Sequence, residues 1–344
     1  MKNVLVIGSG GVGTIAALLL SLNRKANVTL VVRLDYDKVK AEGISIRSKT
    51  YGSIDGWKPQ NVARSVTEAA ELFGPFDFIL LTTKNIPDGP MTCEDVVRPA
   101  VLPQLVIIMM QNGLGIEEPM MQAFPDNIIL LAVLLIALAY KNGVVENPGK
   151  DHVTLGDFRA AHKCSLPGTR DAMEGFIEIY RNPDQNVNYI AIDDDCRTTR
   201  WQKLVYNSVF NVVTAILETD VTRCQIAGLN DSLFRPAMQE VIDIAASEGV
   251  TIPKDTIERF IHIGDGMFYS PLMCVDRRKN QLIEMEVILG NPLRIARKNG
   301  VQTPILLVLY QLLKVVQFKT KEATGAIKID PKDYQYNSDD YPNL

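Results

Sequence analysis

The sequence predicts an α/β domain followed by an all-helical domain. Apolar runs of strand length recur through the first half of the chain and alternate with stretches that suit helices, a pattern typical of a parallel sheet covered on both faces. From about residue 198 to residue 318 these runs give way to long helical patterns. The predicted strands are Val4–Ile7, Val28–Val32, Phe76–Leu81, Leu105–Met110 and Ile128–Leu135.

Length and charge set the domain count and the class of partner. At 344 residues the chain exceeds the size at which one core usually keeps growing, so two domains are expected. We place them at residues 1–192 and 193–325, with a polar tail over 326–344, because the segment after Pro183 is polar and acidic. The 36 basic and 40 acidic residues, net charge -4, argue against nucleic acid and anionic membranes and favour a small-molecule partner.

Cysteine usage and hydropathy predict a cytoplasmic protein. The five cysteines are widely spaced and form no CxxC pair, so neither a disulfide framework nor a zinc site is indicated. The amino terminus runs directly into a glycine loop and has no cleavage site of the signal-peptide kind. The longest apolar stretch, Ile128 to Tyr140, has 13 residues, whereas a membrane-spanning helix needs about 20.

A glycine loop follows the first predicted strand and matches the GxGxxG pattern. In this setting Gly8 would make the tight turn, Gly10 would let the backbone approach a pyrophosphate, and Gly13 would allow close packing of helix on strand. The alternative is a flexible loop without a ligand. Strand, loop and helix stand in the order of a Rossmann dinucleotide site, so we expect the cofactor to contact the whole loop: Gly8, Ser9, Gly10, Gly11, Val12 and Gly13.

The end of the second predicted strand favours NADP(H). Arg33 stands 20 residues past Gly13, where an NAD site would usually present a carboxylate to the ribose. A guanidinium there suits a 2′-phosphate, because it forms charge-assisted, bidentate hydrogen bonds. Two alternatives stay open: Asp35 as an acidic ribose ligand, and Arg33 as an ordinary solvated cation.

One helical segment of the second half carries polar residues on one face. Lys203, Asn207 and Asn211 lie at i, i+4 and i+8 in an otherwise largely apolar stretch. Asparagine is a mediocre helix former, so ligand hydrogen bonds would explain the pair. Desolvation would lower the pKa of the lysine and make it a readier proton donor to a ketone oxygen. The alternative is a snorkelling lysine beside asparagines that bond between helices.

Five motifs taken together resemble the ketopantoate reductase (2-dehydropantoate 2-reductase) family. They are GSGGVG at the amino terminus, LLTTKN, MQNGLG, WQKLVYNSVFNVVTAI and IEMEVILGNPL, in the expected order over roughly residues 1 to 320. The resemblance implies a Rossmann domain, then a helical domain like that of 6-phosphogluconate dehydrogenase, and NADPH-dependent reduction of a 2-oxo acid in the interdomain cleft, a step of pantothenate biosynthesis. A monomer or homodimer is expected.

The resemblance also implies roles for particular residues. Lys203 resembles the general acid, and Asn112 the residue that orients the nicotinamide ribose and that lysine. Lys84 resembles the lysine near the cofactor, with a solvated strand-end charge as the alternative. Asn207 and Asn211 resemble the substrate-binding asparagines. Glu284 resembles the acid that bonds the substrate hydroxyl, with a salt bridge to Arg277, Arg278 or Lys279 as the alternative.

The chain departs from the family pattern at two places. After the fifth strand it reads Leu134 to Leu138, an apolar wall where polar residues are usual. Leu272 stands where a serine usually holds the substrate carboxylate, and Ser270 lies two residues earlier as a candidate substrate ligand. A family member that reduces bulkier, more apolar ketones or 2-oxo acids is therefore one alternative.

Other classes of function have weaker support. A catalytically silent NADP(H)-binding sensor or scaffold is possible, although Lys203, Asn112 and Glu284 together argue against it. The three histidines (His152, His162 and His262) are scattered, without the i,i+4 pairing or carboxylate partners of a metal site, so we expect no metal site. No GxSxG elbow is found, which disfavours hydrolysis.

Overall fold

A computed structural model of the protein describes residues 1–135, 138–141, 143–159, 164–184 and 186–342. The chain forms two compact units: the first contains Met1–Asn85 and Pro90–Arg200, and the second contains Ile86–Gly89 and Trp201–Leu344. The division passes through the helix Cys196–Tyr206, whereas the sequence places a boundary after residue 192, at the end of a strand. The short segment 86–89 joins the second unit, which the sequence did not predict.

An eight-stranded sheet forms the centre of the first unit. The five predicted strands are confirmed, with slightly different ends, and they pair in parallel. The strand Asp151–Asp157 lies beside Ile129–Leu135 in the sheet, runs antiparallel to it and was not predicted. The strands in spatial order are β12 (Asn188–Ile192), β11 (Asp151–Asp157), β8 (Ile129–Leu135), β7 (Val106–Met109), β6 (Phe78–Leu81), β1 (Lys2–Ile7), β2 (Ala26–Val31) and β5 (Asn61–Ala63).

Continuous apolar sequence explains why these strands are central. Val4 to Ile7 are almost fully buried on both faces, as are Phe78 to Leu81. A strand in which apolar and polar residues alternate can expose one face to water. An unbroken apolar run instead needs cover on both faces. The helix α1 (Gly11–Leu22) supplies part of it, because every residue from Gly13 to Leu20 is buried.

A second sheet of four strands contains segments that the sequence did not identify. Its order is β4 (Gly52–Trp57), β3 (Ile44–Ser48), β10 (Val144–Asn147) and β9 (Ala139–Lys141). The pair β9 and β10 is a hairpin that joins β3 in parallel. Two pairs of strands that are far apart in sequence, β3 with β4 and β9 with β10, therefore form one small layer.

Short helices complete the first unit. They are α2 (Tyr36–Glu42), α3 (Val66–Phe73), α4 (Cys93–Val97), α5 (Glu117–Ala123) and α6 (Thr169–Tyr180). Side chains of Ser65 and Thr92 cap α3 and α4 by accepting backbone N–H bonds, which satisfies donors that a helix start leaves free. Phe176 of α6 is fully buried, with its ring 5.6 Å from that of Phe78 in β6.

The second unit is helical, as predicted. Its helices are α7 (Cys196–Tyr206), whose first residues belong to the first unit, α8 (Val212–Leu217), α9 (Val221–Ile226), α10 (Arg235–Ser247), α11 (Thr256–Ile261), α12 (Leu272–Arg278), α13 (Asn291–Asn299) and α14 (Pro304–Ala323). Three π-helical turns lie within or before these helices, at Asn207–Asn211, Asn230–Phe234 and Glu286–Gly290. Aromatic packing anchors the core, with the Phe210 and Phe234 rings edge to face at 4.8 Å.

The polar tail contains a small aromatic cluster. Beyond α14, Tyr334, Tyr336 and Tyr341 of the polar tail pack on one another. Across the described residues, no helix has both the length and the apolar character that crossing a bilayer requires.

Candidate active site

The glycine loop between β1 and α1 has the geometry that its sequence predicts. Gly8 adopts a φ of +113°, a conformation that residues with a side chain rarely adopt. A Cβ built on Gly13 would lie 1.8 Å from the Gly8 carbonyl oxygen. Glycine is therefore required at both positions by the turn and by the contact of helix with strand. The Thr82 hydroxyl, at the end of β6, donates to the carbonyl of Ile7 at 2.9 Å and holds the turn from the neighbouring strand.

The same loop suits a pyrophosphate. Helix α1 begins at Gly11, and no side chain caps its N-terminus. The amides of such a helix end attract negative charge. A Cβ built on Gly10 would meet nothing within 4 Å, so open space lies directly over this backbone. The loop can therefore hold the diphosphate of a dinucleotide, whose nicotinamide would then supply hydride chemistry.

Beyond β2, the cation and the carboxylate that the sequence singled out have different surroundings. Arg33 is exposed and, within the described part of the chain, its guanidinium makes no ion pair or hydrogen bond. Asp35 accepts a hydrogen bond of 2.9 Å from the Tyr140 hydroxyl of β9. Burial and this carboxylate raise the pKa of Tyr140 to about 12. The acidic ribose ligand considered as an alternative is thus already engaged by a tyrosine.

Lys84 and Asn112 lie in the loops after two adjacent parallel strands, β6 and β7. Gln111 connects the two loops: its amide nitrogen donates to the Thr83 carbonyl at 2.8 Å, and its oxygen accepts from Asn85 at 3.5 Å. Asn112 itself is half-buried, and no other described residue hydrogen-bonds its side chain. Its amide therefore remains available to a ligand at the carboxyl edge of the sheet.

Sequence reasoning missed three residues of this unit. Thr82 and Gln111 lie inside the motifs LLTTKN and MQNGLG but were not predicted as site residues. Thr82 is two residues from the predicted Lys84, and Gln111 is next to the predicted Asn112. Tyr140 carried no signal, because only the tertiary fold brings β9 to the start of α2.

The described residues of the apolar segment 134–138 have different surroundings. Leu134 is a core side chain, 6% exposed, whereas Leu135 is 56% exposed because successive strand residues face opposite sides. Ile136 and Ala137, like His162, lie outside the described residues. Leu138 lies beside the glycine loop, since a Cβ built on Gly11 would be 3.1 Å from the Leu138 Cβ. Among the described residues of this segment, Leu138 is the one that borders the loop.

In the second unit, Lys203 and the two asparagines lie on a helix that changes type. Lys203 is half-buried near the end of α7, and Asn207–Asn211 form the π turn that follows. The sequence predicted an uninterrupted α-helix here. Asn207 and Asn211 are 6% and 8% exposed, and the Asn211 amide nitrogen donates to the Asn207 side-chain oxygen at 3.2 Å. Wide turns of this kind are frequent at functional sites.

Glu284 lies two residues before another π turn, Glu286–Gly290, and is 7% exposed. The Ser208 hydroxyl of the first π turn donates to the Ile288 carbonyl of the second at 3.2 Å. Gln317 of α14 fixes the preceding residue, because it accepts from the Ile283 amide at 3.0 Å and donates to its carbonyl at 3.2 Å. These bonds hold the backbone on both sides of the buried carboxylate.

Two of the basic residues proposed as alternative partners of Glu284, Arg277 and Arg278, have other partners. Arg277 pairs with Glu218 at 3.3 Å. Arg278 donates to the Ser270 hydroxyl at 2.9 Å and to the Glu218 carbonyl. Ser270 therefore supports an arginine, and Leu272 at the start of α12 is 42% exposed.

The chain has a Rossmann-type α/β unit followed by a helical unit, and this fold together with the site residues is typical of an oxidoreductase. Two family models match the chain: ketopantoate reductase PanE/ApbA over residues 4–160, and the C-terminal part of ketopantoate reductase PanE/ApbA over residues 195–317. The chain belongs to the ketopantoate reductase family, as the five motifs predicted.

Relatives match over nearly the whole length. An uncharacterized protein of Saccharomyces cerevisiae is 40% identical over 355 residues, covering 96% of this chain and 98% of the relative. The 2-dehydropantoate 2-reductase of Nostoc sp. is 25% identical over 332 residues, covering 94% and 98%. The crystal structure of 2-dehydropantoate 2-reductase from Methylococcus capsulatus superimposes with a TM-score of 0.75 at 31% identity, covering 92% of this chain and 97% of that one.

Proposed function

We propose that this protein reduces a 2-oxo acid to a 2-hydroxy acid with NADPH, with 2-dehydropantoate to pantoate as the foremost reaction. The observation that carries the proposal is the buried amide pair Asn207 and Asn211, which lies four and eight residues after Lys203 in the π turn that follows α7. Support comes from the relatives named 2-dehydropantoate 2-reductase in Nostoc sp. and Methylococcus capsulatus. We further propose a cytoplasmic monomer or homodimer with domains at 1–192 and 193–325 and a tail at 326–344.

The first unit would bind the cofactor, which supplies a hydride when bound. The uncapped start of α1 and the open space over Gly10 suit the pyrophosphate. Arg33, exposed at the end of β2, would pair with the 2′-phosphate. Lys84 and Asn112, after adjacent strands, would contact the cofactor, and Asn112 would orient its nicotinamide ribose.

The second unit would bind the substrate and supply the proton. A carbonyl that receives hydride becomes an alkoxide, and the Lys203 ammonium would protonate that oxygen. The Asn207 and Asn211 amides would hydrogen-bond the polar groups of the acid, because in a buried position they strongly favour ligands that can pair with them. Glu284 would accept a hydrogen bond from the substrate hydroxyl.

A second candidate is reduction of bulkier, more apolar ketones or 2-oxo acids. The observation that favours it is the exposed Leu272 at a position where relatives usually carry a hydroxyl. Ser270, proposed as a substrate ligand, accepts from Arg278, so it would offer a substrate its hydroxyl proton and one remaining lone pair.

Substrate profiling tests the proposal. NADPH consumption should be followed with 2-dehydropantoate and, in parallel, with phenyl-substituted and branched 2-oxo acids. The highest kcat/KM is expected for 2-dehydropantoate, whereas a preference for the phenyl-substituted acid would select the second candidate. If no 2-oxo acid or ketone is reduced while NADPH binds, a cofactor-binding sensor or scaffold replaces both.

The cofactor assignment has its own variants. Arg33→Ala should raise the KM for NADPH far more than the KM for NADH, because only NADPH loses a partner. Arg33→Lys should give an intermediate KM for NADPH, since it keeps the charge but not the bidentate geometry. An equal effect of Arg33→Ala on the two cofactors would refute the role of this guanidinium.

A further inference from the structure

The Tyr140 hydroxyl donates a hydrogen bond to the carboxylate of Asp35. Residues 32–35 follow β2 directly, and Asp35 is the only acidic residue among these four described residues. This carboxylate, Asp35, directly precedes α2 and lies two residues past Arg33. In Rossmann folds an acid near the end of the second strand usually accepts the ribose 2′-hydroxyl of NAD. Tyr140 donates to Asp35 Oδ2 at 2.9 Å and so competes with a ribose for that oxygen.

Other contacts place this pair beside the glycine loop. Ser9 of the loop, Asp35, Lys38 and Tyr140 line the same small cavity. Leu138, two residues before Tyr140, lies against Gly11 at the start of α1. The bond between tyrosine and aspartate is therefore located where the adenosine half of a dinucleotide would lie, and not on a remote surface.

The chemistry of the pair separates the two cofactors. A phenol that donates to a carboxylate occupies one lone-pair site of one oxygen, so a ribose hydroxyl that approaches that site has to displace the phenol. The high pKa of Tyr140, about 12, keeps this hydroxyl protonated at neutral pH. Arg33 has no such competitor among the described residues, so its guanidinium remains available to a 2′-phosphate.

We propose that Tyr140 is a specificity-determining residue that withholds the Asp35 carboxylate from the ribose and leaves cofactor selection to Arg33. The inference rests on the proposed use of NADPH. It predicts that removal of one phenolic oxygen converts Asp35 into a ribose ligand. A freed carboxylate would bind the 2′-hydroxyl of NADH and repel the 2′-phosphate of NADPH.

Calorimetric titration with NADPH and NADH, without substrate, tests the inference independently of turnover. In Tyr140→Phe the ratio of the NADH Kd to the NADPH Kd should fall by about tenfold or more, the size expected for one hydrogen bond to a charged group. Tyr189→Phe is the matched control, because Tyr189 is a partly exposed tyrosine on β12 whose ring packs on His152. Its ratio should equal that of the wild type.

Two further variants keep the test decisive. Asp35→Ala alone should leave NADH affinity unchanged, since the carboxylate is withheld in the wild type, and in Tyr140→Phe/Asp35→Ala the gain for NADH should disappear. Asp35→Ala remains informative if Tyr140→Phe does not fold. Loss of NADH affinity in Asp35→Ala, or an unchanged ratio in folded Tyr140→Phe, would overturn the inference.

The two proposals fail differently. Wild-type protein that reduces 2-oxo acids with NADPH, combined with an unchanged ratio in Tyr140→Phe, would reject the role of Tyr140 and leave the proposed function standing. Wild-type protein that binds NADH more tightly than NADPH would reject both.

Discussion

The side-chain amide of Asn211 donates a hydrogen bond of 3.2 Å to the side-chain oxygen of Asn207 within a five-residue π turn. The Asn207 amide nitrogen can only donate, and in the described residues no side chain accepts from it. The Ser208 hydroxyl, which donates to the Ile288 carbonyl, also holds the turn. The pair is thus oriented before any ligand arrives.

Removal of the oriented amide should weaken substrate binding. We expect Asn207→Ala to raise the KM for the 2-oxo acid about tenfold, the effect of one lost hydrogen bond to a charged group, with a smaller change in kcat. Steady-state kinetics would measure both constants. Gln239→Ala, which removes an exposed amide from α10 of the same unit, is the control and should change neither. An unchanged KM in Asn207→Ala would make the pair purely structural.

Replacement of Lys203 tests the proton donor. General acid catalysis contributes about 100- to 10,000-fold, so Lys203→Ala should lower kcat by a factor in that range. NADPH affinity, measured by titration, should change little because the glycine loop belongs to the first unit. Lys314→Ala removes an exposed lysine of α14 and should leave kcat unaltered. Near-normal turnover in a folded Lys203→Ala protein would eliminate the mechanism.

Two glycines of the loop should respond differently to the same substitution. Gly10→Ala places a methyl group in open space, so thermal stability should persist while the Kd for NADPH rises about tenfold or more, because the methyl occupies the expected pyrophosphate position. Gly13→Ala forces a Cβ against the Gly8 carbonyl and should lower the free energy of unfolding by about 1–3 kcal/mol or more. Gly149→Ala, also in open space, should affect neither quantity. Unchanged NADPH affinity in Gly10→Ala would place the cofactor elsewhere.

Asp151 should make stability depend on pH. Its carboxylate is 1% exposed and accepts from Tyr180 at 2.5 Å, and burial raises its pKa from 3.8 to about 6 despite that bond. Between these two values the folded state keeps a proton that the unfolded state has released. The free energy of unfolding should therefore fall by at most about 3 kcal/mol as pH rises from about 4 to about 6. Above about pH 6 this group should cause no further change.

Urea unfolding of Asp151→Asn at pH values of about 4 and about 7 would measure this term. The variant cannot titrate at this position, so its loss of stability between the two pH values should be smaller than that of the wild type. Asp126→Asn, at an exposed position, should retain the wild-type difference. Equal pH dependence in Asp151→Asn and wild type would contradict the prediction.

Much of the fold could be predicted from local patterns. Unbroken apolar runs identified the five parallel strands, and GxGxxG located the turn that Gly8 and Gly13 make. The strands of the small sheet were missed, because β3, β4 and β10 lack an unbroken apolar run and their pairing joins segments about a hundred residues apart.

Local patterns by themselves determined the parts of this protein whose physics is local: the apolar strands, the glycine turn, and the family through motifs in a fixed order. Only the tertiary structure decided which partner each polar side chain has. In the folded protein Tyr140 hydrogen-bonds Asp35, and Gln111 hydrogen-bonds the Thr83 carbonyl. Asn207 and Asn211 lie in a π turn. The physical reason is that hydrogen bonds between distant segments depend on how the elements pack, which periodicity within one segment does not specify.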